Sequence, residues 1–247
     1  MAKFTLSPTP PEQDSKGGDG HVYTIAAQVG SRRLLGWHAL LANLAVMGVT
    51  AALVFLSHPS VASIPMWISA ALWIAFIAYW SAMARHAATP VRAESRESRR
   101  VHERLLNGGL LLLLLPIPFL RGRVVPRSAA IIVTGFAVQI GCGLLGVWAR
   151  RHLGRYWSGA ISTVADHQLV RSGPYRVLRH PIYTAWLGVA VGSALVSGEW
   201  HALLGLSLVV GAYARKIRHE ERHLHELFGD AYGEYKRASW ALVPGVF

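Results

Sequence analysis

The sequence predicts an all-α, polytopic membrane bundle of about five to six transmembrane helices with an amphipathic helix near its C-terminal end. Three observations carry that reading. Apolar residues make up 52% of the 247-residue chain and charged ones only 15%, whereas a soluble domain carries about 25% charged residues. The few charges also leave long gaps, from Leu34 to Ala84, Leu105 to Leu120, Ser128 to Ala149, His180 to Gly198 and Trp200 to Ala214. Gaps of this length match hydrocarbon-spanning helices. Third, the lysines and arginines collect in the segments between the gaps, as they do when basic loops face the inner leaflet.

Each element follows from its breaks. His58-Pro59-Ser60 interrupts the first gap where a turn is needed, so two helices are expected, about Leu35 to Leu56 and about Ile64 to Met83. A third segment, Leu105 to Leu120, contains Pro116 and Pro118. At ~1.5 Å per residue it reaches only ~24 Å of a ~30 Å layer, so it spans only if Arg104 and Arg121 snorkel, or it is re-entrant. Ser128 to Ala149 is a clean fourth span. Ile182 to Val196 and His201 to Tyr213 flank Ser197-Gly198-Glu199-Trp200, the expected turn of a helical hairpin. An amphipathic helix follows from about Arg215 to Phe228, extending to Tyr235, with Ile217, Leu224, Phe228, Ala231 and Tyr235 on one stripe. Residues 1–31 are expected to be a disordered cytoplasmic tail and residues 32–149 the N-terminal transmembrane helices.

Orientation follows from the arginines. Arg85, Arg92, Arg96, Arg99, Arg100 and Arg104 fall in one loop, Arg150 to Arg179 forms a second basic segment, and Arg215, Lys216, Arg218, Arg222, Lys236 and Arg237 lie in the C-terminal part. With six passes these share one side with Arg32 and Arg33, which puts both termini in the cytoplasm. Arg121, Arg123 and Arg127 would then face outward. The formal charge of +12 is explained by these loops and does not call for nucleic acid. The single cysteine, Cys142, excludes an internal disulfide and a thiol metal cluster.

Polar residues gather at the cytoplasmic mouth of the last half. Leu153-Gly154-Arg155-Tyr156-Trp157-Ser158 leads into His167-Gln168-Leu169-Val170-Arg171-Ser172-Gly173-Pro174-Tyr175, and Arg179-His180-Pro181-Ile182-Tyr183 opens the hairpin. Pro181 suits the first turn of a helix, which puts His180 at a helix N-terminus able to receive an anionic group. The competing reading makes Arg179, His180, Tyr175 and Tyr183 interfacial anchors. Glu220 and Glu221 flank the apolar stripe of the last helix. They require either a ligand or a basic partner one turn away among Arg215, Lys216, Arg218 and Arg222. His219-Glu220-Glu221-Arg222-His223 also matches the H-E-x-x-H pattern of zinc peptidases. On an ideal projection, however, His219 and His223 face water opposite Ile217, Leu224 and Phe228, and no third ligand follows at a recognisable spacing. No metal site is therefore expected, and a membrane metallopeptidase stands as the alternative.

Taken in order, Leu169-Val170-x-x-Gly173-Pro174-Tyr175, Arg179-His180-Pro181-x-Tyr183, a hairpin, Glu220-Glu221-x-x-Leu224-x-x-x-Phe228-Gly229-x-x-Tyr232-x-x-Tyr235 and Pro244 resemble the isoprenylcysteine carboxyl methyltransferase family. Phospholipid N-methyltransferases and some bacterial thiol methyltransferases are similar. The resemblance covers about Leu153 to Pro244. It implies that residues 150–247 form a membrane methyltransferase core using S-adenosyl-L-methionine, with the C-terminal helix completing the cofactor pocket. Carried over by position, it implies cofactor contacts from His167, Gln168, Leu169, Val170, Tyr175, His180, Pro181, Ile182, Tyr183 and Glu220. The family's substrate-holding arginine, four residues before the glutamate pair, is replaced here by Lys216, a point charge without the bidentate fork. Lys216 and Tyr183 are the catalytic candidates. The implied partner is a membrane lipid or lipidated substrate, foremost a prenylated cysteine carboxylate, with phospholipid amines and thiols as alternative acceptors. A non-catalytic membrane interaction protein is the third class, favoured only by the Lys216 departure and by the charge-pairing account of Glu220 and Glu221.

Overall fold

The computed structural model describes residues 24–25, 64–84, 90–115, 117–120, 122–157, 162–164 and 168–246. Among the described residues six α-helices carry the architecture: α1 (Ile64–Ala84), α2 (Arg96–Leu114), α3 (Ala129–Leu153), α4 (Pro181–Ser197), α5 (Trp200–Phe228) and α6 (Asp230–Arg237). Three short strands, β1 (Thr24–Ile25), β2 (Pro90–Ala93) and β3 (Ser162–Val164), pair antiparallel in the order β1-β2-β3, with Ile25 opposite Arg92 and Arg92 opposite Thr163. The fold is therefore mostly helical rather than wholly so. Runs of two to four residues are too short to leave a period in the sequence. The expected helix from Leu35 to Leu56 lies outside the described residues, as does most of the expected tail.

Among the described residues two helices, over Ile64–Met83 and Ala129–Leu153, are long and apolar enough to cross a membrane. The outer stripe of α3 fits that environment: Val133 and Leu144 are 64% and 65% exposed, with Ile140 and Trp148 beside them. An exposed apolar band of this kind suits lipid better than water. Ser128 starts α3 by accepting a hydrogen bond from the Ile131 N–H at 3.2 Å, so the expected start holds.

The third expected segment changes most. A helix begins at Arg96, nine residues earlier than predicted, because Ser95 caps it through the Ser98 N–H, and it ends at Leu114, two residues before Pro116. Pro116 disfavours helical geometry in the residue before it. The early start gives α2 a charged first half, and α2 runs antiparallel beside α5. Arg215 bonds Ser98 at one end of this seam, while His201 Nδ1 lies 2.7 Å from the Leu112 carbonyl at the other. The hairpin's second helix and the amphipathic helix are also one continuous element, α5, since nothing between Tyr213 and Arg215 breaks the backbone ladder. The break comes at Gly229, where φ is +53°. Beyond it α6 takes a new direction, so Ala231 is exposed although Tyr235 is buried.

Close backbone approach holds the bundle together. A Cβ at Gly192 would sit 2.5 Å from the Gly135 carbonyl oxygen, and one at Gly205 would sit 2.4 Å from the Leu113 nitrogen. These positions seat α3 against α4 and α2 against α5, as small residues do between membrane helices. Cys142 is unpaired and packs against Gly188 in the α3–α4 seam. Helix α1 joins through Trp73, Phe76 and Trp80, whose rings surround Trp186 of α4. Two buried polar contacts fix its depth: Trp73 Nε1 donates to Ser193 Oγ at 2.8 Å and Gln139 Nε2 to Ser69 Oγ at 2.9 Å. Buried polar groups paired across helices specify one alignment. At the end away from the basic loops, Gly198 (φ +67°) ends α4, its carbonyl accepts from the Val124 N–H, and Arg123 donates to the Ser197 carbonyl.

The α2–α5 seam yields a paired test. Gly205→Ala should lower unfolding stability in detergent by about 1–3 kcal/mol through overpacking. Gly211→Ala on the same helix, where an added Cβ meets nothing within 4 Å, should leave stability unchanged or raise it by up to about 1 kcal/mol. Equal melting midpoints for the two variants would contradict the seam.

Candidate functional site

The site is built where the backbone leaves α3 and re-enters α4. Gly154 (φ +57°) turns the chain at the end of α3, and the short turn through Tyr156 and Trp157 supplies one wall. The strand-like run Gln168–Val170 supplies a second, and the tight turn Gly173–Arg176 presents Tyr175. Pro181 opens α4 at its first helical position, and His180 just before it has non-helical geometry (φ −125°, ψ 56°) with no side-chain cap bond. Its ring instead faces α5.

There it meets both glutamates. His180 Nδ1 lies 3.7 Å from Glu220 Oε2, and His180 Nε2 lies 3.4 Å from Glu221 Oε1. The two carboxylates then divide. Glu221 is 13% exposed and accepts from Arg179 Nε at 2.9 Å and from Lys236 Nζ at 2.6 Å. Burial pushes its carboxyl upward, but the nearby His180 ring and the hydrogen bonds of Lys236 and Arg179 outweigh burial and hold it well below the usual carboxylate range. Glu220 is 28% exposed and accepts from Tyr183 Oη at 2.6 Å. One hydroxyl donor leaves most of its lone-pair sites open to the cavity. These hydrogen-bond partners come from α4, α6 and the turn before α4, while Lys216, one turn away on α5, adds electrostatic attraction to Glu220.

Aromatic rings complete the surroundings. The His180 ring stacks on Tyr183 at 5.4 Å and 8°, and Tyr183 packs on Tyr213 at 5.0 Å. Tyr235 Oη donates to the Tyr175 carbonyl at 2.6 Å, tying α6 to the turn. Tyr175 Oη and Tyr232 Oη are buried with no hydrogen-bond partner among the described residues. A buried hydroxyl left this way is costly unless a ligand or water meets it.

One cavity of about 860 Å³ of empty space, its mouth included, is lined by Gln168, Leu169, Val170, Tyr175, His180, Ile182, Tyr183 and Glu220. These are eight of the ten residues expected to share a site. His167 lies outside the described residues. Pro181 is buried but does not line the cavity. Lys216 is likewise buried off the cavity wall, with Nζ 5.5 Å from the Tyr183 ring centroid.

The cavity also takes in residues that sequence reasoning placed elsewhere. His223, expected to face water, is 6% exposed and lines the cavity. The ideal projection took solvent to cover the face opposite the apolar stripe, whereas the chain after Gly229 folds back and Tyr232 of α6 lines the cavity beside His223. No group of three or more His, Cys, Asp or Glu side chains is placed to hold a metal ion among the described residues. The zinc-peptidase pattern thus lacks the ligand set it needs.

The Glu221 arrangement fixes a pH dependence. Because its folded pKa is depressed, the stabilisation it provides is present above the unfolded carboxylate pKa and is lost as pH falls through that value toward the folded one. Melting midpoints taken from neutral pH down into the acid range should show wild type and Glu221→Gln converging as pH falls. A constant gap would contradict the clamp.

Residues 134–226 match the sequence model of the isoprenylcysteine carboxyl methyltransferase (ICMT) family. The protein-S-isoprenylcysteine O-methyltransferase of Dictyostelium discoideum is 30% identical over 82 residues, which are 33% of this chain and 35% of that protein. That of Schizosaccharomyces pombe is 36% identical over 80 residues, 32% of this chain and 34% of that protein. The cobalt-zinc-cadmium resistance protein CzcN of Cupriavidus metallidurans is 36% identical over 105 residues, 41% and 47% of the two chains. The chain thus spans between about a third and a half of these relatives. The solved structure of a eukaryotic intramembrane Ras methyltransferase, ICMT, superposes with a TM-score of 0.51 at 17% identity, over 81% of this chain and 74% of that one. At that identity the likeness is one of fold.

Proposed function

We propose that this chain is a membrane methyltransferase that uses S-adenosyl-L-methionine and acts on a lipid-like or prenylated carboxylate. The observation that carries the reading is the meeting of the His180–Tyr183 corner with Glu220 around one cavity. The match of residues 134–226 to the ICMT family supports the same chemistry. When bound, S-adenosyl-L-methionine supplies a methyl group activated on a sulfonium.

The residues suit such a molecule. Glu220 keeps lone pairs for amino or hydroxyl donors, the start of α4 favours an anionic group, and the buried Tyr175 and Tyr232 hydroxyls await polar partners. Leu153, Val170, Ile182 and Leu224 offer apolar surface beside them. A carboxylate acceptor is ionised at neutral pH, so no general base is needed. The chain's contribution is then alignment and exclusion of water. Lys216, close to Tyr183, favours an anionic acceptor on that side, and Tyr183 is held in place by Glu220. The arginine-rich segments support a mouth at the cytoplasmic leaflet.

In titration calorimetry of the detergent-solubilised protein, wild type should bind S-adenosyl-L-methionine and Glu220→Gln should bind it at least about tenfold more weakly. Labelled methyl should pass to a prenylcysteine carboxylate in preference to phosphatidylethanolamine or a small thiol. A wild-type protein that does not bind the donor overturns the reading, and transfer to the amine or thiol instead reassigns the acceptor.

A further inference from the structure

The corner that carries His180 is only partly fixed by α4. The His180 carbonyl accepts from the Thr184 N–H at 3.0 Å and its ring stacks on Tyr183, but its own N–H and the residues before it lie outside the helix and take their backbone bonds elsewhere. Those contacts come from the segment after α6. The Trp240 N–H donates to the Val177 carbonyl at 2.9 Å, and the Arg179 N–H donates to the Trp240 carbonyl at 2.7 Å. The His180 N–H donates to the Ala241 carbonyl at 3.1 Å. Thr184 Oγ1 then donates to the Leu242 carbonyl at 2.8 Å. Four successive bonds thus run along residues 177–184 on one side and 240–242 on the other.

The same segment holds the Arg179 side chain. Its guanidinium donates to the Lys236 and Ser239 carbonyls as well as to Glu221, and Ser239 Oγ reaches back to Tyr235. Ala241 is 1% exposed, so the strap is seated rather than draped, whereas the Trp240 side chain is 45% exposed. The strap therefore acts through its backbone. A bonded backbone of this kind removes the rotational freedom the corner would otherwise have.

We infer that residues 239–242 are a positioning strap, which sets His180 and Arg179 against the two glutamates and thereby tunes the cavity for its ligand. The inference rests on the reading that the cavity binds S-adenosyl-L-methionine, but its geometry can be tested separately. Trp240→Pro removes the N–H that reaches Val177, while Trp240→Ala keeps it. In the full chain, Trp240→Pro should weaken S-adenosyl-L-methionine binding by about five- to tenfold. Without ligand it should also speed hydrogen exchange of the peptide covering residues 177–184, with Trp240→Ala matching wild type in both. Thr184→Val, nearly isosteric, should lose about threefold in affinity with little change in melting midpoint, and Thr184→Ser should restore it; this pair decides the matter should Trp240→Pro not fold. Wild-type affinity and exchange in Trp240→Pro, or in Thr184→Val where the proline variant cannot be made, would overturn the strap. So would equal losses in Trp240→Pro and Trp240→Ala. A wild type that binds no S-adenosyl-L-methionine would remove the cavity reading alone, leaving the exchange comparison to judge the strap.

Discussion

The site depends on two adjacent carboxylates on one continuous helix meeting a histidine at the start of another. Adjacent residues on a helix point about 100° apart, so Glu220 and Glu221 cannot serve the same partner set. Glu221 turns toward Arg179 and Lys236 and is neutralised there. Glu220 turns toward Tyr183 and the cavity. His180 lies between them and touches both. A buried carboxylate with cationic partners is tolerable, and one without them is not. Glu221 thus anchors the geometry in which Glu220 stays open toward a ligand.

That geometry requires α4 and α5 to be held in depth and rotation inside a lipid environment that gives no hydrophobic preference between helices. The bundle supplies this through close approach at Gly135–Gly192 and Gly205–Leu113 and through the Trp73–Ser193 and Gln139–Ser69 contacts. The aromatic cluster of α1 around Trp186 braces the same helix that begins at Pro181. Packing within the membrane and the position of His180 at its border are therefore linked through α4. The other end of α5 is tied to α2 through Arg215, His102 and His201. Its cavity-facing residues consequently extend from an element fixed along half its length.

The proposed chemistry is modest in what it asks of side chains. Transfer of a methyl group to an already ionised oxygen needs a dry, aligned cavity more than a proton relay. The residues found here fit that demand: one open carboxylate, unpartnered tyrosine hydroxyls, an aromatic wall and no metal-holding cluster among the described residues. His223 joins this wall although it first appears as half of a zinc motif. Its spacing suited a metal, but no third ligand stands beside it among the described residues.

The sequence by itself determined the apolar helices over Ile64–Met83 and Ala129–Leu153, the hairpin at Ser197–Trp200 and, through the family resemblance, eight of the residues that line the cavity. Long uncharged runs, Pro181 after His180 and the spaced glutamate pair are local signals, readable because helix length and helix starts depend on neighbouring residues. Tertiary structure alone decided that His223 turns inward and Lys216 stays off the cavity wall, and that Glu221 is clamped while Glu220 faces the cavity. Each of these turns on residues remote in sequence. Arg179 and Lys236 are 42 and 15 positions from Glu221, and a pattern confined to one helix cannot say which of two neighbouring carboxylates a distant cation will reach.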